Sequence, residues 1–447
     1  MKSYFLRRLL LIPPTLIGIT LLAFTVTRFV PGGAMDRMLQ QAARGADQGG
    51  KTSSSKQSQS GLNEEQLEEL EEQYGLDKPV LVAYLQWLGL APREVRISKG
   101  EYDAEGEEKI GSEIDTATTA VVVLRGDGRA VLVKRDASAV RSALFQETGL
   151  PVTAENWKVR YESEKIRQDR YQRRNGDKDK LPSYRSRAVI YQTYFSGLLQ
   201  GDLGRSQIYN EPVDRMILSR IPVAAYFGLL TAFITYAVCL PLGVLKALKH
   251  RTFIDTASSV LIFLGYSIPG FALGAILLVH LGARMNYFPL FGLTSPDFDQ
   301  MNDWAKAKDI AHHTVLPLLC YVVGSFAMLT MLTKNSLMDN LAADYVRTAM
   351  AKGVSFPKAV FGHAFRNSMI PIATSLGSLV EIFIGGSMLI ETVFDIQGFG
   401  LMQYHSVLER DVPVIMGTLA IAALLMLVGQ VLSDFIVAMV DPRIKFE

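Results

Sequence analysis

Six long apolar stretches constrain the fold of this 447-residue chain more than any other feature. They cover residues 9–27, 221–245, 256–281, 314–332, 369–393 and 412–440. A helix of about 20 apolar residues is long enough to cross the roughly 30 Å hydrocarbon core of a bilayer. The sequence therefore predicts an all-α polytopic membrane protein with six transmembrane helices.

Positive charges precede the first apolar stretch, a pattern shared by membrane helices and cleaved signal peptides. They are Lys2, Arg7 and Arg8. The apolar core is long for a signal peptide, however, and Arg28 and Phe29 follow it in place of a small-x-small cleavage site. We therefore expect this stretch to be retained as a transmembrane helix.

Lysine and arginine are concentrated in alternate short loops, which sets the expected orientation. They are frequent before residue 9, at 246–251, at 334–366 and after residue 440, whereas the loops at 282–313 and 394–411 carry few. Both termini are therefore predicted to be cytoplasmic. The polar stretch from about residue 31 to residue 220 is predicted to be external.

Residues Gly45 to Thr52 read GADQGGKT and match the phosphate-binding pattern G-x-x-x-x-G-K-[ST]. That loop requires a strand before it and a helix after it, so that backbone N–H groups converge on the phosphates. Here a polar, helix-prone segment precedes the match and the flexible tract SSSKQSQSG follows it. On the predicted external side the match is a chance one, and no nucleotide hydrolysis is expected.

The chain divides into four predicted regions. Residues 1–30 hold the cytoplasmic end and the first membrane helix, and residues 31–90 an external linker with a helix from Asn63 to Gly75. Residues 91–195 are an inserted external domain. Residues 196–447 form a transmembrane region with five helices and a cytoplasmic loop at 336–368.

The inserted region reads as a small α+β domain. Its segment TATTAVVVLRGDGRAVLVKRD places two β-branched runs around Gly126-Asp127-Gly128, which predicts a hairpin. Ala137 to Thr148 is predicted to be a helix. The domain is expected to end in the charged helical segment SEKIRQDRYQRRNGDKDK.

The loop between the fourth and fifth apolar stretches carries the strongest functional signal. A helix is predicted from about Ser336 to Lys352 and ends at Gly353, because glycine tolerates positive φ. Ser355, with Pro357 two residues on, opens a second short helix. Such a bend with a basic rim suits insertion into a cleft of a cytoplasmic protein; the alternative is an ordinary loop with a snorkelling basic face.

Glu381 stands near the middle of the fifth apolar stretch. An ionisable side chain at that depth is costly unless it faces water or a partner, so by default it marks a pathway. We hypothesise that it faces a central passage and favours cationic cargo. The alternative is a hydrogen bond between helices.

Metal and cofactor chemistry has little support in the sequence. The six histidines include the adjacent pair His312 and His313, which point apart on a helix. Cys239 and Cys320 both lie in apolar stretches and are expected to be small buried residues. No metal, cofactor or nucleic acid is expected to bind.

Several motifs together resemble the permeases of ATP-binding-cassette importers, specifically the dipeptide and oligopeptide branch. They are DYVRTAMAKGVS, HAFRNSMIP, GGSMLIETVF, GFG, RDVPVIMGT, VDPRI, RRLLLIPPTL, YGLDKPVLVAYLQWL and GDLGRS. The run TMLTKNSL and the tail DPRIKFE look closest to the subgroup that imports microcin C and oligopeptides.

The resemblance implies a non-catalytic permease in a bacterial inner membrane. Its implied partners are a second homologous permease, cytoplasmic ATP-binding subunits and a periplasmic peptide-binding protein. Contact with the ATP-binding subunit is implied for six residues: Tyr345, Arg347, Ala349, Lys352, Gly353 and Ser355.

Relative to this family, the chain carries about 100 extra residues, the size of a small domain. The inserted domain either gates the passage or docks the binding protein, or it lies at the rim without a role in transport.

Two other classes of protein are alternatives to the permease. An ion-coupled secondary transporter would show internal repeats and several buried ionisable groups, which the sequence lacks. A membrane-anchored external domain would not need six spans.

Overall fold

The computed structural model describes residues 2–29, 75, 78–102, 119–123, 129–136, 139–155, 157–175, 181–385 and 387–440. The chain divides into two compact units. The helical unit comprises Met1–Ala34 and Leu203–Glu447, and the sheet unit comprises Met35–Asp202. The GADQGGKT segment, residues 63–74 of the predicted external helix and the turn at 126–128 lie outside the described residues.

The first helix of the helical unit, α1 (Lys2–Phe29), contains Pro13 and Pro14. It packs along the last helix of the chain, and the Nε of Arg8 lies 2.9 Å from Oδ2 of Asp434. Tyr4 donates a hydrogen bond from its hydroxyl to the same carboxylate. The first apolar stretch is thus one continuous helix joined to the rest of this unit.

Within the described residues of the sheet unit, the first helix is α2 (Val80–Leu88), which ends at Gly89 with φ of 87°. Its strands are β1 (Arg93–Glu101), β2 (Thr119–Val123), β3 (Ala130–Asp136), β4 (Ala139–Phe145), β5 (Trp157–Glu162) and β6 (Arg187–Tyr194), with helix α3 (Glu164–Asn175) between the last two. They form two antiparallel three-stranded sheets, β1–β6–β5 and β2–β3–β4. Buried side chains of Val122, Val131, Phe145 and Ile190 belong to one core.

Two predictions for this region are wrong and one is confirmed. β2 and β3 pair as the predicted hairpin, with Val123 opposite Ala130. The helix predicted over Ala137–Thr148 is instead strand β4, because pairing with β3 outweighs its local helix propensity. The unit also does not end with the charged helix α3: strand β6 follows and takes the central position of its sheet.

The second segment of the helical unit is almost entirely helical. Its helices are α4 (Val213–Leu248), α5 (Phe253–Ser267), α6 (Gly270–Leu277), α7 (Asp303–Ala342), α8 (Asp344–Ala351), α9 (Phe356–Ala359), α10 (Phe365–Gly385), α11 (Met388–Phe394), α12 (Phe399–Leu408) and α13 (Val412–Val440). Two π-helical stretches, Leu278–Arg284 and Val360–Ala364, follow α6 and α9. α4 packs along α7, and α10 packs along α13.

Within the described residues, four helices are long and apolar enough to cross a membrane: α1, α4, α7 and α13. The bent pair formed by α5 with Gly270–Arg284 gives a fifth candidate span. Helix α10 covers the first part of the predicted stretch 369–393. The fold is therefore mostly helical with several apolar helices, and the count of six spans stays a prediction.

Three predicted helices differ in extent from the observed ones. The stretch 256–281 is broken at Ile268 and Pro269 and bends by 89°, because the residue before a proline favours extended backbone. The stretch 369–393 ends as a helix at Gly385, and α11 is separate. The helix predicted from Ser336 to Lys352 is the end of α7 followed by α8, with a break at Ala343, where the backbone is extended.

Candidate functional site

Helices α8 and α9 meet at a sharp bend, which we call the elbow (residues 344–359). Helix α8 ends at Ala351, two residues before Gly353. The φ of Gly353, 86°, lies in the left-handed region that favours glycine. The N–H of Val354 donates to the carbonyl of Ala349 at 3.2 Å, and this bond closes the turn. Ser355 then precedes α9, which has a proline in its first turn, as predicted.

The inner side of the elbow is fixed by apolar packing. Val346 of α8 and Ala359 of α9 are buried against Leu337 of α7 and Ala247 of α4. Ala364, in the π-helical stretch that leads into α10, belongs to the same cluster. The elbow is therefore seated on the ends of α4 and α7 and is in apolar contact with both helices.

All six residues implied by the resemblance lie in the elbow. Tyr345, Arg347, Lys352, Gly353 and Ser355 are exposed, and Ala349 is half-buried. The hydroxyl of Tyr345 donates a hydrogen bond to Oδ1 of Asn340 at 2.7 Å. The guanidinium of Arg347 lies 3.9 Å from the exposed Asp344 carboxylate. The outer surface of the elbow thus combines an exposed aromatic ring with exposed positively charged side chains.

The other predicted site residue, Glu381, lies in helix α10. The side chains of residues 376–386 lie outside the described part of the structure.

A buried cluster of charges near the elbow was not predicted. Its members are Lys246 of α4, Asp255 of α5 and Lys334 of α7, and we call it the lysine–aspartate cluster. Lys246 is in the last turn of its helix, a position that suits a cation, and Asp255 is in the first turn, which suits an anion. Local sequence shows those two preferences, but 79 residues separate Asp255 from Lys334, and their contact exists only in the fold.

A second buried carboxylate, Glu391, lies beyond the end of α10 that is remote from the elbow. Its side chain is buried in α11. The hydroxyl of Tyr321 donates to Oε1 at 3.2 Å, and the backbone N–H of Leu401 donates to Oε2 at 2.8 Å. These bonds tie α11 to α7 and α12. Sequence reasoning noted the motif GGSMLIETVF around this residue but gave the carboxylate no role.

Gly398 leaves the space that Glu391 occupies. A Cβ at position 398 would lie 2.5 Å from Oε2 of Glu391, too close for any real contact. We therefore expect Gly398→Ala to lower the free energy of unfolding by about 1–3 kcal/mol, the usual cost of overpacking. Thermal unfolding of the detergent-purified protein would measure this.

Gly324→Ala is the matched control for Gly398→Ala. Gly324 lies inside helix α7, and a Cβ there would meet nothing within 4 Å. Alanine in a helix interior is about 0.5–1 kcal/mol more favourable than glycine, so this variant should unfold at or above the wild-type temperature. Equal unfolding temperatures for the two variants would contradict the close contact between Gly398 and Glu391.

Candidate metal ligands do not gather in the described residues. No group of three or more His, Cys, Asp or Glu side chains is placed to hold a metal ion there. Cys239 and Cys320 are buried, unpaired thiols in α4 and α7.

The helices and the elbow define a class: a multi-pass membrane subunit with an exposed loop seated on the ends of its long helices. The family model described as "Binding-protein-dependent transport system inner membrane component" matches residues 239–446. The chain belongs to this family, and the predicted resemblance is confirmed.

Three relatives illustrate this membership. A peptidoglycan transport system permease, YejB of Agrobacterium fabrum, is 42% identical over 55% of this chain and 68% of its own length. The inner membrane ABC transporter permease YejB of Escherichia coli O157:H7 is 39% identical, over 58% and 72% of the two chains. The oligopeptide transport system permease AppB of Bacillus subtilis is 34% identical, over 58% and 80%.

Family membership gives the chain its general role. It is a multi-pass inner-membrane permease of an ATP-binding-cassette importer, and it is not itself an enzyme. Hydrolysis of ATP belongs to a separate subunit, and the family implies a substrate-binding protein as a further partner.

Proposed function

We propose that this chain is the permease through which an ATP-binding-cassette importer takes up peptides, either free oligopeptides or peptide-containing molecules. The cargo follows from its relatives, whose names refer to peptidoglycan and oligopeptide transport. Microcin C, a peptide-nucleotide antibiotic, belongs to the same chemical class and to the proposed cargo range.

The observation that carries the proposal is the elbow. Its inner side is buried against α4 and α7, and its outer side is exposed. A surface of this kind can receive force from a separate protein and pass it to the long helices. We assign contact with the ATP-binding subunit to Tyr345, Arg347, Ala349, Lys352, Gly353 and Ser355.

The proposal fixes an orientation. The elbow carries exposed cations at Arg347, Lys352 and Lys358, and the exposed Arg366 follows it in the first turn of α10. Lys and Arg favour the cytoplasmic side of short loops. The elbow and both termini are therefore assigned to the cytoplasm, six helices are assigned to the membrane, and residues 91–195 become a periplasmic α+β domain.

A second, homologous permease is the proposed partner within the membrane. Helix α5 supports this, because it buries only Asp255 and Ile262 within the chain. Its large exposed apolar side chains include Phe253, Leu261 and Leu264. Lipid or a neighbouring permease would cover this surface.

Uptake by the reconstituted complex tests the function. Vesicles would hold the two permeases, with the ATP-binding subunits and the binding protein added, and the cargo panel would include di- and oligopeptides, a cell-wall peptide and microcin C. Uptake should require hydrolysable ATP and should persist when ionophores collapse ion gradients. Uptake driven by an ion gradient without ATP would favour a secondary transporter instead.

Glu381 is proposed to line the passage and to favour cationic peptides. Glu381→Gln should lower uptake of a lysine-containing peptide about five- to tenfold, equivalent to roughly 1–1.4 kcal/mol, and leave an uncharged peptide of equal length unaffected. Competition between the two peptides in one vesicle preparation measures the ratio directly. Equal losses for both peptides would assign Glu381 to a bond between helices.

A further inference from the structure

The lysine–aspartate cluster contains two buried ammonium groups and one buried carboxylate. The Nζ of Lys334 donates to both carboxylate oxygens of Asp255, at 2.8 Å and 2.9 Å. The Nζ of Lys246 lies 3.1 Å from Oδ1 of the same carboxylate. Lys246 is fully buried, and Asp255 and Lys334 are 5% and 8% exposed. Three helices, α4, α5 and α7, thus share a single carboxylate.

Further polar contacts surround the Lys246 ammonium and the Asp255 carboxylate. The Lys246 ammonium also donates to the Asp255 carbonyl and to the hydroxyls of Ser258 and Ser259, at 2.7–2.9 Å. The backbone N–H of Arg251 donates to the Asp255 carboxylate at 3.1 Å, and Nδ1 of His250 lies 3.3 Å from it. A buried charge is tolerated only when it is paired and hydrogen-bonded, and each charge of the cluster meets this condition.

The cluster lies directly beside the seat of the elbow. Ala247, in that seat, follows Lys246 in sequence, and Leu337 lies one turn after Lys334. α4 and α7 are in very close contact here, because a Cβ on Gly243 would lie 2.6 Å from the Cβ of Thr333. A displacement of the elbow therefore moves the backbone that carries both ammonium groups.

Helix α5 has little other attachment to the chain. Asp255 and Ile262 are its only buried residues. At its other end the backbone breaks at Ile268 and turns by 89° into α6. Lys246 of α4 also donates to the Asp255 carbonyl, Ser258 and Ser259. Lys334 of α7 donates only to the Asp255 carboxylate, so this carboxylate is the group of α5 that contacts the charges of both helices that hold the elbow.

We infer that Asp255 is a positioning residue for ATP-driven transport, through which movement of the elbow reaches α5. Two ammonium groups allow the carboxylate to keep one partner while α4 and α7 shift, so the link survives the movement. Apolar packing at this point would instead require a new fit in each state. The inference rests on the proposed function, because it assumes that a separate ATP-binding subunit moves the elbow.

The test compares Asp255→Asn with wild type in the reconstituted complex. The measured quantity is cargo imported per ATP hydrolysed, normalised to the amount of assembled complex. We expect this ratio to fall about tenfold, within the range of typical coupling between sites, while ATP hydrolysis per complex stays within about twofold. A purely structural role would lower the amount of complex and leave the ratio unchanged.

Asp309→Asn is the matched control. Asp309 is another largely buried aspartate, near the opposite end of α7, where it accepts hydrogen bonds from the N–H and hydroxyl of Ser295. This variant should keep the wild-type ratio. The double variant Asp255→Lys, Lys334→Asp keeps the charges of the cluster and should recover at least part of the coupling.

The outcomes separate the inference from the proposed function. If wild type shows no ATP-dependent uptake, the proposed function is wrong. If wild type imports cargo and Asp255→Asn keeps the wild-type ratio, the positioning role is overturned. If Asp255→Asn does not assemble, the ratio is measured for Asp255→Glu, which keeps the charge but moves it by one methylene. A reduced ratio in that variant supports the role, and an unchanged ratio overturns it.

Discussion

Replacing Gly353 by tryptophan is expected to reduce ATP-driven import about 30-fold, while the permease still inserts and assembles in the membrane. This loss corresponds to the roughly 2 kcal/mol that a central residue contributes to an interface. A Cβ at position 353 would meet no atom of this chain within 4 Å. A side chain at position 353 therefore starts in open space, on the surface where the ATP-binding subunit is proposed to dock.

The left-handed backbone at position 353 adds a second, smaller cost. With φ of 86°, any residue other than glycine is strained there by about 1–2 kcal/mol. Asparagine tolerates this region best, so Gly353→Asn should retain more import than Gly353→Val. Import measured for Asn, Val and Trp at this position separates backbone strain from side-chain bulk.

Gly362 offers the control for the Gly353 series. It is exposed, a Cβ there would also meet nothing within 4 Å, and its φ is not positive. It lies in the π-helical stretch beyond the elbow. Gly362→Ala should import at the wild-type rate. Normal import by Gly353→Trp would remove the elbow from the proposed docking surface.

The elbow and most membrane helices could be predicted because their signals are local. Continuous apolar runs mark helices, and Gly353 followed by Ser355 marks a helix end and a new start. Their extents were harder to predict. The break at Ile268 and Pro269 could be predicted only from the extended backbone that the residue before a proline favours. The break at Ala343 contains neither glycine nor proline, so no local residue type indicates it.

The features that were missed depend on contacts between distant parts of the chain. Ala139–Phe145 has helix-compatible residues but becomes a strand because β3 lies beside it. The local sequence indicates only single charges, in loops or at helix ends, for Lys246, Asp255 and Lys334. Their contact arises from the packing of three helices. Glu391 likewise gains its role from Tyr321 and Leu401.

The sheet unit contains a buried ion pair whose loss should have a large effect on its stability. The Glu162 side chain is fully buried, and the Nη2 of Arg187 lies 2.7 Å from its Oε2. The guanidinium of Arg170 lies 2.8 Å from Oε1. Glu162→Gln leaves the buried Arg187 charge without its carboxylate, which should cost about 3–5 kcal/mol of unfolding free energy.

Hydrogen exchange in the full-length protein can locate this loss. Amides of β5 and β6 should exchange at least 100-fold faster in Glu162→Gln, as about 3 kcal/mol implies. Glu94→Gln is the control, because the Glu94–Arg160 pair has a similar separation of 3.0 Å but a largely exposed arginine. An exposed pair contributes about 0–1 kcal/mol. Equal acceleration in both variants would contradict the special role of the buried pair.

The same pair predicts how the stability of the sheet unit depends on pH. Burial by itself would raise the pKa of the Glu162 carboxyl, but the guanidinium groups of Arg187 and Arg170 outweigh burial and lower that pKa below its usual value. Because the folded-state pKa is lowered, the stabilisation is present above the unfolded pKa of about 4.3 and is lost as pH falls through the folded pKa. Protection of β5 and β6 in wild type should therefore decline below about pH 4.3. Glu162→Gln has no carboxyl to protonate, so its protection should decline less over that interval, and equal declines would show that other groups control the acid response.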